Sequence, residues 1–186
     1  MEHCSGSLHD LMVEQSSWEA PMPEEASKCL MQQLAQGLHS CRELKIMHRD
    51  LKPQNLLLIG RLARGPRRWG IVGQRAPPTT VSGLVLKIAD FGSSRVLGTT
   101  HGDQITRAVG TDKFMAPEVR DSGDYNEKAD LWSVGIILFE LLTRKPYNGH
   151  VGNVRNISAE ARQLLTQLLQ PDPTQRCSFE DFFNSK

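Results

Sequence analysis

Residues 48–58 read HRDLKPQNLLL and place an acid, a base and an amide at Asp50, Lys52 and Asn55. The three leucines that follow are typical of a short buried strand. Pro53 fixes its own backbone and biases Lys52 away from helical geometry, so the polar side chains should project from an extended turn rather than from one face of a helix. The pattern therefore predicts a loop that carries chemistry and runs directly into the core.

Two further motifs follow in order along the chain. Residues 86–92 read LKIADFG, a short apolar strand that ends in Asp-Phe-Gly at Asp90, and residues 115–118 read MAPE. An isolated Asp-Phe-Gly is usually an ordinary turn, but chance agreement of three ordered motifs is negligible. Together they resemble the catalytic loop, the Asp-Phe-Gly motif and the Ala-Pro-Glu motif of eukaryotic protein kinases.

The resemblance implies a role for each polar residue of these motifs. Phosphoryl transfer needs positioning and charge neutralisation more than covalent chemistry. By the resemblance, Asp50 orients the substrate hydroxyl and accepts its proton, and Lys52 lies against the transferred γ-phosphoryl group. Asn55 and Asp90 hold Mg²⁺ through hard oxygen ligands. Lysine at this place accompanies serine or threonine acceptors, so a protein serine/threonine kinase that uses ATP and Mg²⁺ is implied.

Composition limits the other function classes. The chain has 186 residues, is 39% hydrophobic and carries a formal net charge of +1, which suits one domain without electrostatic attraction to nucleic acid or membranes. Its four cysteines form no C-x-x-C pair, as expected for reduced thiols. No run has the length of a membrane span, and the first residues lack the order of a signal peptide. We expect a cytoplasmic protein with a protein substrate, no nucleic-acid partner and no transmembrane segment.

Residues 1–6, MEHCSG, resemble the hinge between the two lobes of a kinase, with a disordered N-terminus as the alternative. The nucleotide-binding residues that the resemblance implies are Glu2, Cys4, Lys52, Asn55, Leu57 and Asp90. The sequence contains no G-x-G-x-x-G and no V-A-x-K, which hold the phosphates from the N-terminal lobe. We therefore expect a mainly α fold with a small β element, a kinase-like C-terminal lobe that lacks the N-terminal β lobe.

The expected organisation is one domain over residues 1–186: hinge 1–6, catalytic loop 48–55, arginine-rich insertion 60–83, activation segment 90–118 and helical subdomain 119–186. The insertion holds five arginines and no acid, and it separates two strands that a kinase joins directly. Three interpretations stay open. It is a flexible loop without a role, a basic docking patch, or translated intron from a faulty gene model. The first and third are favoured, because charged tracts are usually only solvated.

The expected activation segment contains Thr99, Thr100, Thr106 and Thr111. A phosphate added to Thr106 by an upstream activating kinase would pair with Arg49, beside the catalytic aspartate, and order the loop. Thr111 matches the family threonine that contacts that aspartate. Thr99 and Thr100 are interpreted as ordinary loop residues.

Several helices are indicated by pattern. Pro23 and two following acids open a helix with an apolar stripe at Leu30, Leu34, Leu38 and Cys41. The run 130–142 is apolar nearly all round and must be buried. By resemblance, its Asp130 binds the backbone of the catalytic loop, and Glu118 pairs with Arg176. Residues 146–157 are shorter than the corresponding kinase segment, and Ser158 and Ser178 are expected to cap two final helices.

The motifs KADLWS at residues 128–133 and EDFF at residues 180–183 add a finer resemblance. With the motifs above, they look like the autophagy-initiating serine/threonine kinases of the unc-51-like group. Two functions follow as hypotheses. The first is ATP-dependent phosphorylation of protein serine or threonine, here by a fragment. The alternative is a catalytically impaired kinase-like binding or scaffold protein.

Overall fold

The computed structural model describes residues 4–15, 20–60, 81, 83–96, 112–122, 126–152, 154 and 156–185. Within these ranges the α-helices are α1 (Leu8–Gln15), α2 (Glu24–Glu43), α3 (Pro117–Ser122), α4 (Ala129–Thr143), α5 (Ala159–Leu168) and α6 (Phe179–Phe183). The strands are β1 (Gly6–Ser7), β2 (Ile46–Met47), β3 (Leu56–Ile59), β4 (Val85–Ile88) and β5 (Arg95–Val96). The described chain is thus mainly helical with a small β element, as expected from the sequence. None of its helices is both long and apolar enough to cross a membrane.

Helix α4 is the centre of the core. Every residue from Ala129 to Leu142 is buried, which confirms the prediction from its all-round apolar sequence. Gly135 allows α5 to cross α4 closely, because a Cβ atom there would lie 2.9 Å from side-chain atoms of Leu168 and Leu169. The helix ends at Thr143, and its C-cap Arg144 has a left-handed backbone whose N–H donates to the carbonyl oxygen of Glu140 at 2.8 Å.

Helix α2 covers one side of α4 and also supports the sheet. Its predicted stripe is buried, together with Ala26, Ser27 and Met31. The helix begins one residue later than expected, because Pro23 has an extended ψ of 141° and occupies the N-cap position. At Gly37 the helix lies directly on β4, since a Cβ atom there would come within 2.8 Å of the Ile88 side chain.

The larger sheet has the antiparallel order β1-β3-β4. Leu56 pairs with Ile88 and Leu58 with Leu86, so the two strands that flank the arginine-rich insertion are direct neighbours. The strand predicted from the three leucines is present, with Leu56 and Leu58 buried and Leu57 between them half-buried. A smaller sheet pairs β2 with β5.

The neck of the insertion is closed by two glycines with positive φ. Gly60 has a φ of +111° and Gly83 a φ of +87°. A Cβ atom at Gly60 would lie 2.2 Å from the carbonyl oxygen of Gly83, so no larger residue fits at this crossing. Residues 61–80 and 82, which make up most of the predicted insertion, lie outside the described residues.

The C-terminal part is fixed by the predicted ion pair and caps. The Arg176 guanidinium is fully buried and donates to both carboxylate oxygens of Glu118, at 2.7 and 2.9 Å. Ser158 accepts from the N–H of Ala161 at 3.0 Å, and Ser178 forms a capping box with Asp181. Between α4 and α5 the described residues contain no helix, in agreement with the shortened segment inferred from the sequence.

Candidate active site

Helix α4 holds the backbone of the loop that carries Asp50. One carboxylate oxygen of Asp130 accepts the N–H of His48 at 2.9 Å, and the other accepts the N–H of Arg49 at 3.0 Å. Asp130 is only 2% exposed. Arg49 has a φ of +71°, a left-handed conformation that costs a non-glycine residue about 1–2 kcal/mol. The contact predicted for Asp130 is confirmed, and it holds this conformation in place.

The His48 ring connects the loop to the strand that precedes Asp90. The ring is fully buried, and its Nδ1 atom accepts the N–H of Asp50 at 3.3 Å. The proton therefore resides on Nε2, which donates to the carbonyl oxygen of Ala89 at 2.9 Å. One side chain thus fixes the backbone of Asp50 relative to the residue before Asp90.

Asp50, Lys52 and Asn55 form one hydrogen-bonded cluster. The Lys52 ammonium donates to Oδ2 of Asp50 at 2.6 Å. The Asn55 amide nitrogen donates to the same oxygen at 3.1 Å and to the carbonyl oxygen of Asp50 at 2.8 Å. The side chains of Asp50 and Lys52 remain 24% and 20% exposed, so the cluster is reachable from solvent.

The backbone of this cluster differs from the expected extended turn. Lys52 is extended, with φ −154° and ψ 160°, as Pro53 after it requires. Residues Pro53–Asn55 then form one turn of 3-10 helix, in which the N–H of Asn55 donates to the carbonyl oxygen of Lys52 at 2.9 Å. This turn folds the Asn55 side chain back toward Asp50, which a fully extended chain would not do.

Asp90 is brought to the loop by β4. The N–H of Ala89 donates to the carbonyl oxygen of Asn55 at 2.8 Å, one residue before Asp90. Asp90 has a φ of +61°, and its carboxylate accepts the N–H of Gly92 at 3.3 Å. The following Phe91 ring contacts the His48 ring edge-on, with centroids 5.0 Å apart, while it remains 43% exposed. The three residues Asp50, Asn55 and Asp90 are therefore held on neighbouring backbone segments.

The donor set suits a hard cation. Both hydrogen bonds of the Asn55 amide nitrogen go to Asp50, which leaves Oδ1 as the oxygen available to a ligand. The Asp90 side chain is exposed. An amide oxygen and a carboxylate are ligands that Mg²⁺ accepts, usually together with phosphate oxygens and water. In the described chain, this site included, no group of three His, Cys, Asp or Glu residues is close enough to hold a metal ion, so the proposed ligands are one amide and one carboxylate.

The described part of the expected hinge, residues 4–6, runs beside β3. The N–H of Ser5 donates to the carbonyl oxygen of Leu58 at 2.8 Å, and Ser7 pairs with Leu57. Cys4 is half-buried at the start of this pairing, and Leu57 faces away from the buried side of β3. Glu2 and the four threonines of the expected activation segment lie outside the described residues.

Two polar residues that make long-range contacts were not singled out from the sequence. Gln33 of α2 donates to the carbonyl oxygen of Leu84 at 3.1 Å and accepts the N–H of Leu86 at 2.8 Å, so it positions β4 as a neighbouring strand would. Glu140 of α4 is 5% exposed and lies 2.8 Å from the Lys113 ammonium. The only sequence signal for either was a polar residue inside an otherwise apolar helical face.

Comparison with known proteins agrees with this geometry. The family model of the protein kinase domain matches residues 1–186. Similar relatives include serine/threonine-protein kinase ATG1c of Arabidopsis thaliana, 37% identical over 99% of this chain, and serine/threonine-protein kinase atg1 of Dictyostelium discoideum, 38% identical over 89%. The chain spans 24% of the length of each of these two relatives. The resemblance inferred from the motifs is therefore confirmed: this chain belongs to the protein kinase family, as a serine/threonine kinase similar to the unc-51-like group.

Proposed function

We propose that the protein transfers the γ-phosphoryl group of ATP to serine or threonine hydroxyls of a protein substrate. The observation that carries the proposal is the hydrogen-bonded cluster of Asp50, Lys52 and Asn55, joined through Ala89 to the strand that presents Asp90. Phosphoryl transfer requires a carboxylate, a cation and metal ligands fixed relative to one another. The cluster provides this arrangement on a backbone that His48 and Asp130 hold.

In the proposed reaction, Asp50 orients the substrate hydroxyl and takes its proton. The hydroxyl oxygen forms a bond to the γ-phosphorus, the bond to the β–γ bridging oxygen breaks, and ADP leaves. Lys52, whose ammonium forms an ion pair with Asp50, places a positive charge beside the transferred phosphoryl group. Asn55 and Asp90 would hold Mg²⁺, which when bound neutralises charge on the phosphate oxygens.

The nucleotide would enter along β3. We assign residues 1–6 to the hinge and residues 1–186 to a C-terminal kinase lobe, with nucleotide contacts from Glu2, Cys4 and Leu57. The pairing of Ser5 with Leu58 and the outward side of Leu57 support this assignment. Because the sequence has no glycine-rich loop and no strand lysine, the phosphates would need those groups from an N-terminal lobe.

Regulation and location are further parts of the proposal. An upstream kinase would phosphorylate Thr106, and the guanidinium of Arg49, next to Asp50, would pair with the added phosphate. The four cysteines are all free thiols, which suits the reducing cytoplasm. The unc-51-like similarity supports autophagy as the process served.

The test uses two forms of the protein. We expect the 186-residue chain alone to transfer little phosphate to casein with ATP and Mg²⁺, because contacts to the phosphates are missing. Each loss of about 1.4 kcal/mol of transition-state stabilisation slows the transfer about tenfold. A fusion that places the residues preceding the matched region of the D. discoideum relative before Met1 should transfer phosphate to serine and threonine. In the fusion, Asp50→Asn should lower the rate by about 10²–10⁴-fold.

Asp121→Asn is the matched control, since Asp121 is an exposed acid whose side chain, among the described residues, pairs with its neighbour Arg120. It should leave the rate unchanged. A folded fusion that transfers no phosphate would favour the binding or scaffold protein. Rapid transfer by the 186-residue chain, abolished by Asp50→Asn, would show that the chain needs no further lobe.

A further inference from the structure

A large open groove lies on the opposite side of α2 from the sheet. Its volume is about 1230 Å³. Helix α2 forms one wall, α5 forms the other, α4 provides the floor through Leu138 and Leu142, and Phe182 of α6 closes one end. The lining contains none of the proposed catalytic residues, so the groove is separate from the candidate active site.

The groove exists because α2 is tied to the start of α5 at one end and to α6 at the other, while α2 and α5 both pack on α4. At one end, the Glu24 carboxylate accepts the N–H and the hydroxyl of Ser158, the N-cap of α5. At the other end, the Arg42 guanidinium of α2 bonds Glu180 of α6 and lies 5.0 Å from the Phe179 ring centroid. These contacts set the distance between the walls without filling the space.

The interior of the groove is apolar and only partly covered. Leu164 and Ala161 of α5 lie on the same helical face as the buried Leu165 and Leu168, yet both are only half-buried where they line the groove. Ala35 on the α2 wall is half-buried as well. Ser27, which also lines the groove, is fully buried, and its hydroxyl has no hydrogen-bond partner among the described residues. An unpaired buried hydroxyl costs about 1–3 kcal/mol unless a ligand satisfies it.

The rim is acidic and rich in amides. One lysine and one histidine line the groove together with four carboxylates, which are Glu24, Glu160, Glu180 and Asp181. The groove is thus acidic although the whole chain has a net charge of +1. Exposed glutamines stand four residues apart on both walls, at Gln32 and Gln36 on α2 and at Gln163 and Gln167 on α5. Residues four apart share one helix face, so two rows of amides border the apolar floor.

We propose that this groove binds an amphipathic helix of a partner protein, with its apolar side on Leu138, Leu142 and Leu164 and lysine or arginine along its edges. A helix about 10–12 Å across, with anchors at i, i+3 or i+4, and i+7, is the peptide that such a groove receives. Positive edges complement the acidic rim, and the glutamine rows supply hydrogen bonds. The same rim opposes a fatty acid or an anionic lipid, whose negative head group would lie among carboxylates.

The test is selection from a displayed library of helical peptides with fixed leucine anchors and edge positions that vary among Lys, Glu and Gln. The immobilised 186-residue chain should enrich peptides with lysine edges. Ala161→Trp and Ala35→Trp fill the groove from opposite walls and should each weaken binding of a selected peptide at least about tenfold. Two variants are used so that a folding defect in one, checked by thermal unfolding, does not decide the result.

Charge is tested separately with a matched pair. Glu160→Lys should weaken binding about three- to tenfold and reduce its salt dependence. Glu25→Lys changes an equally exposed acid in the first turn of α2 that does not line the groove, and it should have no effect. Enrichment of glutamate edges, no enrichment over the tryptophan variants, or displacement of the peptide by dodecanoate would each overturn the proposal.

Discussion

Replacing Asp130 by asparagine tests whether α4 holds the catalytic loop in place. The aspartate is 2% exposed and accepts the backbone N–H groups of His48 and Arg49, one on each carboxylate oxygen. Asparagine has nearly the same shape but only one acceptor oxygen. Its amide NH₂ would face one of these backbone donors, so one N–H must lose its partner.

The magnitude follows from the contacts. A hydrogen bond to a charged group contributes about 1.5–3 kcal/mol, and a buried N–H left without a partner costs about 1–3 kcal/mol. Relaxation of Arg49 from its left-handed backbone returns about 1–2 kcal/mol. Asp130→Asn should therefore lower the free energy of unfolding by about 3 kcal/mol, near the middle of the range that these terms span, which is a large part of the stability of an ordinary domain.

Urea unfolding measures this change, with Asp121→Asn as the exposed control, which should stay within about 0.5 kcal/mol of the unsubstituted protein. A second readout is Cys41. Burial raises the pKa of its thiol, and the negative charge of Asp130 raises that pKa further. Asp130→Asn should lower the pKa and speed alkylation of Cys41 at pH about 8–9 under native conditions. Unchanged stability together with an unchanged Cys41 rate would refute the reasoning.

Three further outcomes are expected. Glu118→Ala leaves the Arg176 guanidinium buried without its carboxylate and should lower the free energy of unfolding, measured in urea, by about 3–5 kcal/mol. Arg176→Lys keeps the positive charge but loses the two parallel N–H donors of the guanidinium, so it should also be destabilising. Gln33→Leu removes both side-chain hydrogen bonds to the β4 segment and should speed hydrogen exchange of the β4 backbone amides. In Gln33→Glu, which retains an acceptor, these amides should exchange more slowly than in Gln33→Leu. Equal exchange rates in the two variants would contradict the positioning role of Gln33. Hydrogen bonds from Ser178 lower the pKa of Asp181, so this cap stabilises the protein above the ordinary carboxyl pKa, and the stabilisation is lost as the pH falls below about 4. Asp181→Asn should therefore flatten the dependence of the free energy of unfolding in urea on pH in that range. An unchanged slope of free energy against pH would exclude the cap as its source.

Local patterns predicted the central elements. The all-round apolar run of α4 could only be a buried helix, and the stripe of α2 could only face the core. Residues 48–55 were predicted to be a catalytic loop from residue types whose order suits phosphate transfer, and that role stays a prediction. Asp130 and Arg176 were placed correctly because buried charges need specific partners, and the family resemblance supplied those partners.

Contacts between distant positions could not be predicted in this way. The bonds from Gln33 to β4 join residues 51 and 53 positions apart, and nothing in the helical period of α2 indicates them. The crossing of Gly60 over Gly83 depends on how two strands meet, which a glycine alone does not specify. Helix α5 has one apolar face, of which Leu165 and Leu168 are buried while Ala161 and Leu164 line an open groove, because periodicity identifies an apolar face without saying what covers it.

Helix α4 connects the two surfaces, and its rigidity determines how they influence each other. Asp130 near its start holds the catalytic loop, and Leu138, about 12 Å further along the axis at 1.5 Å per residue, lies under the groove. A close-packed helix with one arrangement does not pass on a shift, since coupling needs an element with two discrete states. We therefore expect a helix bound in the groove to change which proteins are held near Asp50 and to leave turnover of a small peptide substrate by the fusion protein unchanged. A change in that turnover at saturating helix would mean that α4 or its contacts have a second arrangement.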